Sequence, residues 1–216
     1  FQSKNYYKIA NIQNKSLQLS LLLSVPASLG LIIASKEIVN GLFGYGSFTN
    51  KDVEMTSDAL MFFGYGVIAF ALIKILANFF FARDNTTTPF YISTFIVFLN
   101  VIISVSFFSK IGFLIIPIAT SISTWIGVLI FLYLLVRNNH LFLQKKLFDN
   151  TLKILISSSI MASVLFYFLN KYSSYFEYTN SLKSVYLLII VGFVGTIYLL
   201  SCYLFGLLKI KNYKTN

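Results

Sequence analysis

Six apolar blocks, each long enough to cross a bilayer, account for most of this chain: residues 17–35, 59–82, 90–109, 111–136, 152–170 and 184–208. A spanning helix needs about 20 apolar residues, and lipid offers its backbone no outside hydrogen-bond partner. The first, third, fourth and sixth blocks hold no charged residue; the second holds only Lys74 and the fifth only Lys153, at its edge. Helices of a soluble domain would carry polar faces at this length. The chain is 57% hydrophobic and 11% charged, well below the roughly 25% charge of soluble domains. It reads as an all-α integral membrane protein with six transmembrane helices.

The net charge of +10 raises the question of nucleic acid, and the positions of the charges answer it. Lys4, Lys8, Lys15, Arg83, Arg137, Lys145, Lys146, Lys153, Lys209, Lys211 and Lys214 fall on one side of the six spans. Only Lys36, Lys51, Lys110, Lys171 and Lys183 fall on the other. By the positive-inside rule both ends of the chain are cytoplasmic. The excess is a topology signal with some attraction to anionic membrane lipids, and nucleic acid is not an expected partner. The single cysteine, Cys202, rules out an internal disulfide, and no metal-ligand spacing surrounds it. The lone His140 reads as a solvated loop residue. The polar, basic segment 1–16 lacks the apolar core of a signal peptide, and a first residue of Phe suggests a piece of a longer protein.

Punctuation divides the blocks. Pro26 removes one backbone bond from the first helix, and a packing kink and a moving hinge both fit it. Residues 36–58 form the one long loop, broken by Gly41, Gly44 and Gly46 and rich in Glu37, Asp52, Glu54 and Asp58. Within it Thr49 and Asp52 have the spacing of a capping box that opens the next helix. Thr88-Pro89 reads as an N-cap and first helical residue of the third span. The short link before it makes spans two and three antiparallel neighbours. Lys110-Ile111-Gly112 makes a still tighter hairpin. Ala119, Ser123 and Gly127 set a small-residue stripe on the fourth span, and Gly192 with Thr196 a shorter one on the sixth.

Soluble-enzyme signatures are missing: no phosphate-cradling glycine loop, paired helical carboxylates or nucleophile elbow. The chain is not expected to be an enzyme. What remains is a set of polar residues at membrane depth, Lys74, Asn78, Asn100, Ser104, Thr120, Ser123 and Thr124. Lys74 and Asn78 share a helical face, as do Asn100 and Ser104. The hydroxyls and Asn100 fit interhelical glue or the lining of a polar path. An intramembrane lysine costs roughly 2.5–3.5 kcal/mol on insertion scales. Lys74 could snorkel, but Arg83 marks the cytoplasmic end nine residues on, so Lys74 lies roughly 13 Å inside. A cavity-facing lysine that meets an anionic group is the favoured reading.

At these residues the chain resembles the MurJ/MviN family, lipid II flippases of the multidrug/oligosaccharidyl-lipid/polysaccharide exporter superfamily. Leu42-Phe43-Gly44-Tyr45-Gly46-Ser47-Phe48-Thr49 with Asp52 is similar to a family loop. Lys74-Ile75-Leu76-Ala77, Phe80-Phe81-Ala82-Arg83-Asp84 and Thr88-Pro89 are similar to the family signature. Asn100, Gly112 and Ala119-Thr120-Ser121 follow a third pattern. Within the Lys74–Pro89 signature Asn85 is a departure, since many members carry Asp there.

The resemblance implies that these are the last six helices of a fourteen-helix flippase in the bacterial inner membrane. Residues 1–136 would form part of the C-terminal lobe. Residues 137–216 would form a cytoplasmic loop, two helices bordering a lipid-tail groove, and a cytoplasmic tail. The missing N-terminal lobe would complete a cationic cavity that carries the lipid II headgroup across by alternating access. Lys74 and Asn78 are the candidate cavity residues. Some members bind sodium in this lobe; the matching positions are Asn100, Ser104, the Ile116 carbonyl and Thr120, with Ser104 where those members carry Asp. Otherwise no cofactor is expected. Another exporter of the superfamily, or a non-transporting scaffold for cell-wall proteins, are the competing readings.

Overall fold

The computed structural model describes residues 2–208, with side chains from Tyr7 onward. The side chain of Lys4 and residues Lys209, Lys211 and Lys214, which entered the charge count, lie outside that description. The elements are α1 (Gln2–Ile33), α2 (Ser35–Phe43), α3 (Asn50–Phe81), α4 (Thr87–Ile111), α5 (Ile115–Arg137), α6 (Lys145–Lys171) and α7 (Lys183–Leu204). Short 3-10 turns occupy Gly112–Leu114 and Ser173–Phe176. Among the described residues the fold is all-α.

Five helical stretches are long and apolar enough to cross a membrane. The longest, Thr87–Arg137, has 51 residues, about twice what one crossing uses. It is divided at Gly112, whose φ of 72° suits a residue without a Cβ, so α4 and α5 are separate arms of a hairpin. The six expected spans therefore correspond to α1, α3, α4, α5, α6 and α7.

Two expectations are corrected at the boundaries. The segment 36–58 is not one long loop, because α2 fills Ser35–Phe43; it buries Val39 and Asn40 and leaves Lys36 exposed. The capping box is present, with Thr49 N–H donating to Asp52 Oδ2 at 2.8 Å and Asp52 N–H to Thr49 Oγ1 at 3.3 Å. In contrast, α4 starts at Thr87 and not after Thr88. Asn85 provides the cap: its Oδ1 accepts from Thr88 N–H at 3.0 Å, and its Nδ2 donates to Thr88 Oγ1 at 3.0 Å. An amide suits both bonds, whereas an ionised carboxylate could only accept.

The bundle is organised around α3, which packs on α1 and α5; α4 packs mainly on α5, α1 on α6, and α6 on α7, while α2 bridges α3 and α7. Spans two and three are thus consecutive but hardly neighbours. The reason is the small-residue stripe on α5. Ala119, Ser123 and Gly127 are all buried, and a Cβ on Gly127 would collide with the Ile96 side chain of α4. That close approach draws α4 across α5. On α7 the corresponding expectation fails: Gly192 and Thr196 are exposed, and nothing described lies within 4 Å of a Cβ built on Gly192.

Two apolar cores hold the helices together. One joins α1, α6 and α7 through Leu22, Val25, Ile154, Leu165, Val194 and Cys202. The other joins α1, α3 and α5 through Leu17, Leu76, Phe80, Val128, Phe131 and Leu135. Between α1 and α7, Tyr198 OH donates to Leu22 O at 2.6 Å. Leu22 O is the carbonyl that Pro26, four residues on, leaves without its helical N–H. The proline is therefore a packed and satisfied feature of this conformation.

Candidate functional site

The signature turn is built by backbone geometry before any function enters. Arg83 N–H and Asn85 N–H both donate to Phe80 O, at 2.9 and 3.2 Å, and Asp84 reverses the chain at φ 55°. Asp84 is exposed and forms no ion pair among the described residues. Pro89 is buried in the first turn of α4, where its missing N–H costs nothing. The Arg83 guanidinium donates to Phe79 O at 2.6 Å and to His140 O at 2.8 Å. A cation over the C-terminal carbonyls of α3 also offsets the negative end of that helix. Arg83 is thus a tie between the α3 end and the α5–α6 loop.

That tie belongs to a larger polar knot, which the pattern of spans did not reveal. Gln13 Nε2 donates to the same His140 O at 2.9 Å. Asn14 Nδ2 donates to Ala10 O at 2.7 Å and to Phe142 O at 2.6 Å, while its Oδ1 accepts from Gln144 N–H at 3.0 Å. Both side chains are buried. His140 is not simply solvated: its Nδ1 is buried without a hydrogen-bond partner. Burial, with the Arg83 charge second, holds the imidazole below its ordinary pKa. A polar pair at positions 13 and 14 ahead of an apolar block was the available signal.

Lys74 and Asn78 occupy the opposite side of α3 from Leu76, Phe79 and Phe80. Both are exposed, whereas those three are buried. Neither side chain forms a hydrogen bond or ion pair among the described residues. They share a helical face as expected, and among the described residues no other element covers that face.

Asn100, Ser104 and Thr120 are brought together between α4 and α5. Asn100 Nδ2 donates to Thr120 Oγ1 at 2.8 Å, Thr120 Oγ1 donates to Ile116 O at 2.7 Å, and Ser104 Oγ reaches Asn100 Oδ1 at 3.5 Å. These four oxygens are neutral and already engage one another. No cluster of His, Cys, Asp or Glu able to hold a metal occurs among the described residues. The set lacks the carboxylate that would offset stripping water from a cation, so it does not by itself fit one.

At the other end of the bundle lies a cavity of about 370 Å³, lined by Glu37, Asn50, Glu54, Ser173 and Glu177 among others. Burial raises the Glu37 carboxyl above its ordinary value, against smaller opposing effects of a backbone hydrogen bond and of Lys36. Bonded to Tyr178 of the cavity lining is a further residue that sequence reasoning missed, Lys183, which was counted only as a loop charge and is fully buried. Two of its partners, Gly44 and Tyr45, are more than a hundred residues distant, so no local pattern marks it.

Comparisons with known proteins point one way. The family model described as lipid II flippase MurJ matches residues 1–192. The "Probable lipid II flippase MurJ" of Rickettsia prowazekii (strain Madrid E) is 33% identical over 217 residues, covering 99% of this chain and 42% of the relative. That of Rhizobium tropici is 31% identical over 166 residues, covering 77% and 31%. A solved structure of "Lipid II flippase MurJ, inward closed conformation" matches with a TM-score of 0.75 at 28% identity, covering 94% of this chain and 40% of that one. The chain thus spans about two fifths of the length of the first of these relatives.

Proposed function

Because the chain belongs to the lipid II flippase MurJ family, we propose that it forms one side of a transport cavity that carries the lipid II diphosphate-sugar headgroup across the bacterial inner membrane. The observation that carries this reading is the bare face of α3. Lys74 and Asn78 stand at membrane depth, exposed, on a helix whose other side is packed into a core. A lysine there is costly unless it meets water or an anion, and a diphosphate supplies both charge and oxygens.

In this reading the rest of the protein, of which the relatives have more than twice this length, supplies the opposing lobe. Residues 1–136 contribute part of the C-terminal lobe, and α6 with α7 border a groove for the polyprenyl tail. Both ends of the chain and the Arg83 turn face the cytoplasm, as the charge count requires. The protein moves its substrate without covalent chemistry and is not an enzyme. Rocking of one lobe against the other provides alternating access.

The test uses the full-length protein and measures lipid II exposed on the outer face of the membrane. Lys74→Ala should lower that exposure more than Lys74→Arg, which keeps the charge. Wild-type exposure in both variants would remove Lys74 from the cavity.

A further inference from the structure

Lys183 opens α7 with an exposure of 0%, and among the described residues no carboxylate pairs with it. Its Nζ donates to Gly44 O at 2.6 Å and to Tyr178 O at 2.8 Å. The ammonium also lies 4.4 Å from the ring centroid of Tyr45 and 4.6 Å from that of Tyr178. Two carbonyl dipoles and two aromatic faces thus stand in for water around the charge.

These groups come from two segments far apart in sequence, the loop after α2 and the connection between α6 and α7. These segments, with the adjoining ends of α2 and α7, are joined at five more points. Ser184 Oγ donates to Gly41 O at 2.6 Å, so the 2.6 Å bond between Tyr45 OH and Ser184 Oγ has the tyrosine as donor. Tyr178 OH donates to Phe48 O at 2.6 Å, and Asn40 Nδ2 to Phe176 O at 2.7 Å. Leu187 of α7 packs directly on Gly41. The stretch Leu42 to Thr49, which stands out in the sequence, supplies Gly44, Tyr45 and Phe48 to these contacts, and α2 supplies Asn40 and Gly41.

We propose that Lys183 is the centre of a clamp that makes α2, the loop 44–49 and the start of α7 a single cooperative unit, closing and opening as a whole. Neither segment can leave without exposing a shared cation and orphaning carbonyls on the other. The sharing of one ammonium is what distinguishes a clamp from two loops that happen to touch.

Hydrogen exchange on the full-length protein in lipid nanodiscs tests this, with no reliance on transport. Lys183→Met keeps the stem and removes the charge. It should speed exchange about tenfold in residues 41–49 and 173–186 together, the size expected for one charge-assisted hydrogen bond. The distant turn 79–89 should be unchanged. A rise confined to 173–186, or none, overturns the clamp. A disulfide between Gly41→Cys and Ser184→Cys, added to Lys183→Met, should restore protection to both segments; failure to restore either overturns it too. If Lys183→Met does not fold, Tyr178→Phe replaces it. That variant loses only the bond to Phe48, and a smaller rise shared by both segments is expected, whereas a rise in one alone overturns the proposal.

Discussion

At the scale of single residues, the Arg83 end shows how backbone carbonyls organise a membrane protein. His140 O accepts from both Arg83 and Gln13, so one carbonyl joins three parts of the chain. The imidazole of the same residue is the knot's weak point, with its Nδ1 buried and unpartnered. Its pKa is depressed in the folded state, chiefly by burial. The unfolded chain therefore binds the proton first. Stability is complete above about pH 6.5, the unfolded value, and falls as the pH drops toward the folded one. Thermal unfolding of the solubilised full-length protein should fall more between pH 7.5 and 5.5 for wild type than for His140→Gln, which keeps the carbonyl. Identical losses would mean that His140 does not titrate as described. Of this knot only Arg83 was legible beforehand, because its partners are carbonyls, which every residue carries and no sequence pattern distinguishes.

Among the elements, α4 shows that chain order and packing order differ. The Arg83–Thr86 turn is short, yet α4 settles on α5, where Gly127 admits Ile96. Inserting a side chain at such a contact typically costs about 1–3 kcal/mol. Gly127→Leu should lower thermal stability by that order, and Ile96→Ala should recover part of the loss in the double variant. Gly192→Leu, on an open face, should leave stability nearly unchanged and serves as the control. Equal effects of the two glycine substitutions would show that the stripe does not set the α4–α5 contact. The small-residue stripe was readable in the sequence at Ala119, Ser123 and Gly127, but the same spacing at Gly192 and Thr196 packs against nothing described. Spacing indicates what can approach closely; only the arrangement of neighbours decides whether anything does.

For the whole molecule, the proposed orientation makes a direct prediction. Single cysteines replacing Ser47 or Asn180 should react with an impermeant maleimide added outside intact cells, while one replacing Asn138 should react only after permeabilisation. Native Cys202 is buried and should stay silent. Labelling of all three from outside would reverse the topology. The number of crossings, the all-α class and the family were determined by the sequence itself, because apolar length and short motifs are local properties that survive without coordinates. The Asn100–Thr120 contact was foreshadowed both by the reading of intramembrane polar residues as interhelical glue and by the family likeness. What only the tertiary structure decided is where the charges end up: Lys74 on a bare face, Arg83 across two segments, and Lys183 fully buried between two tyrosine rings. A charge's role depends on the dipoles and rings that surround it, and for Lys183 those lie as far away as Gly44, in a loop separated from it by four of the six spans.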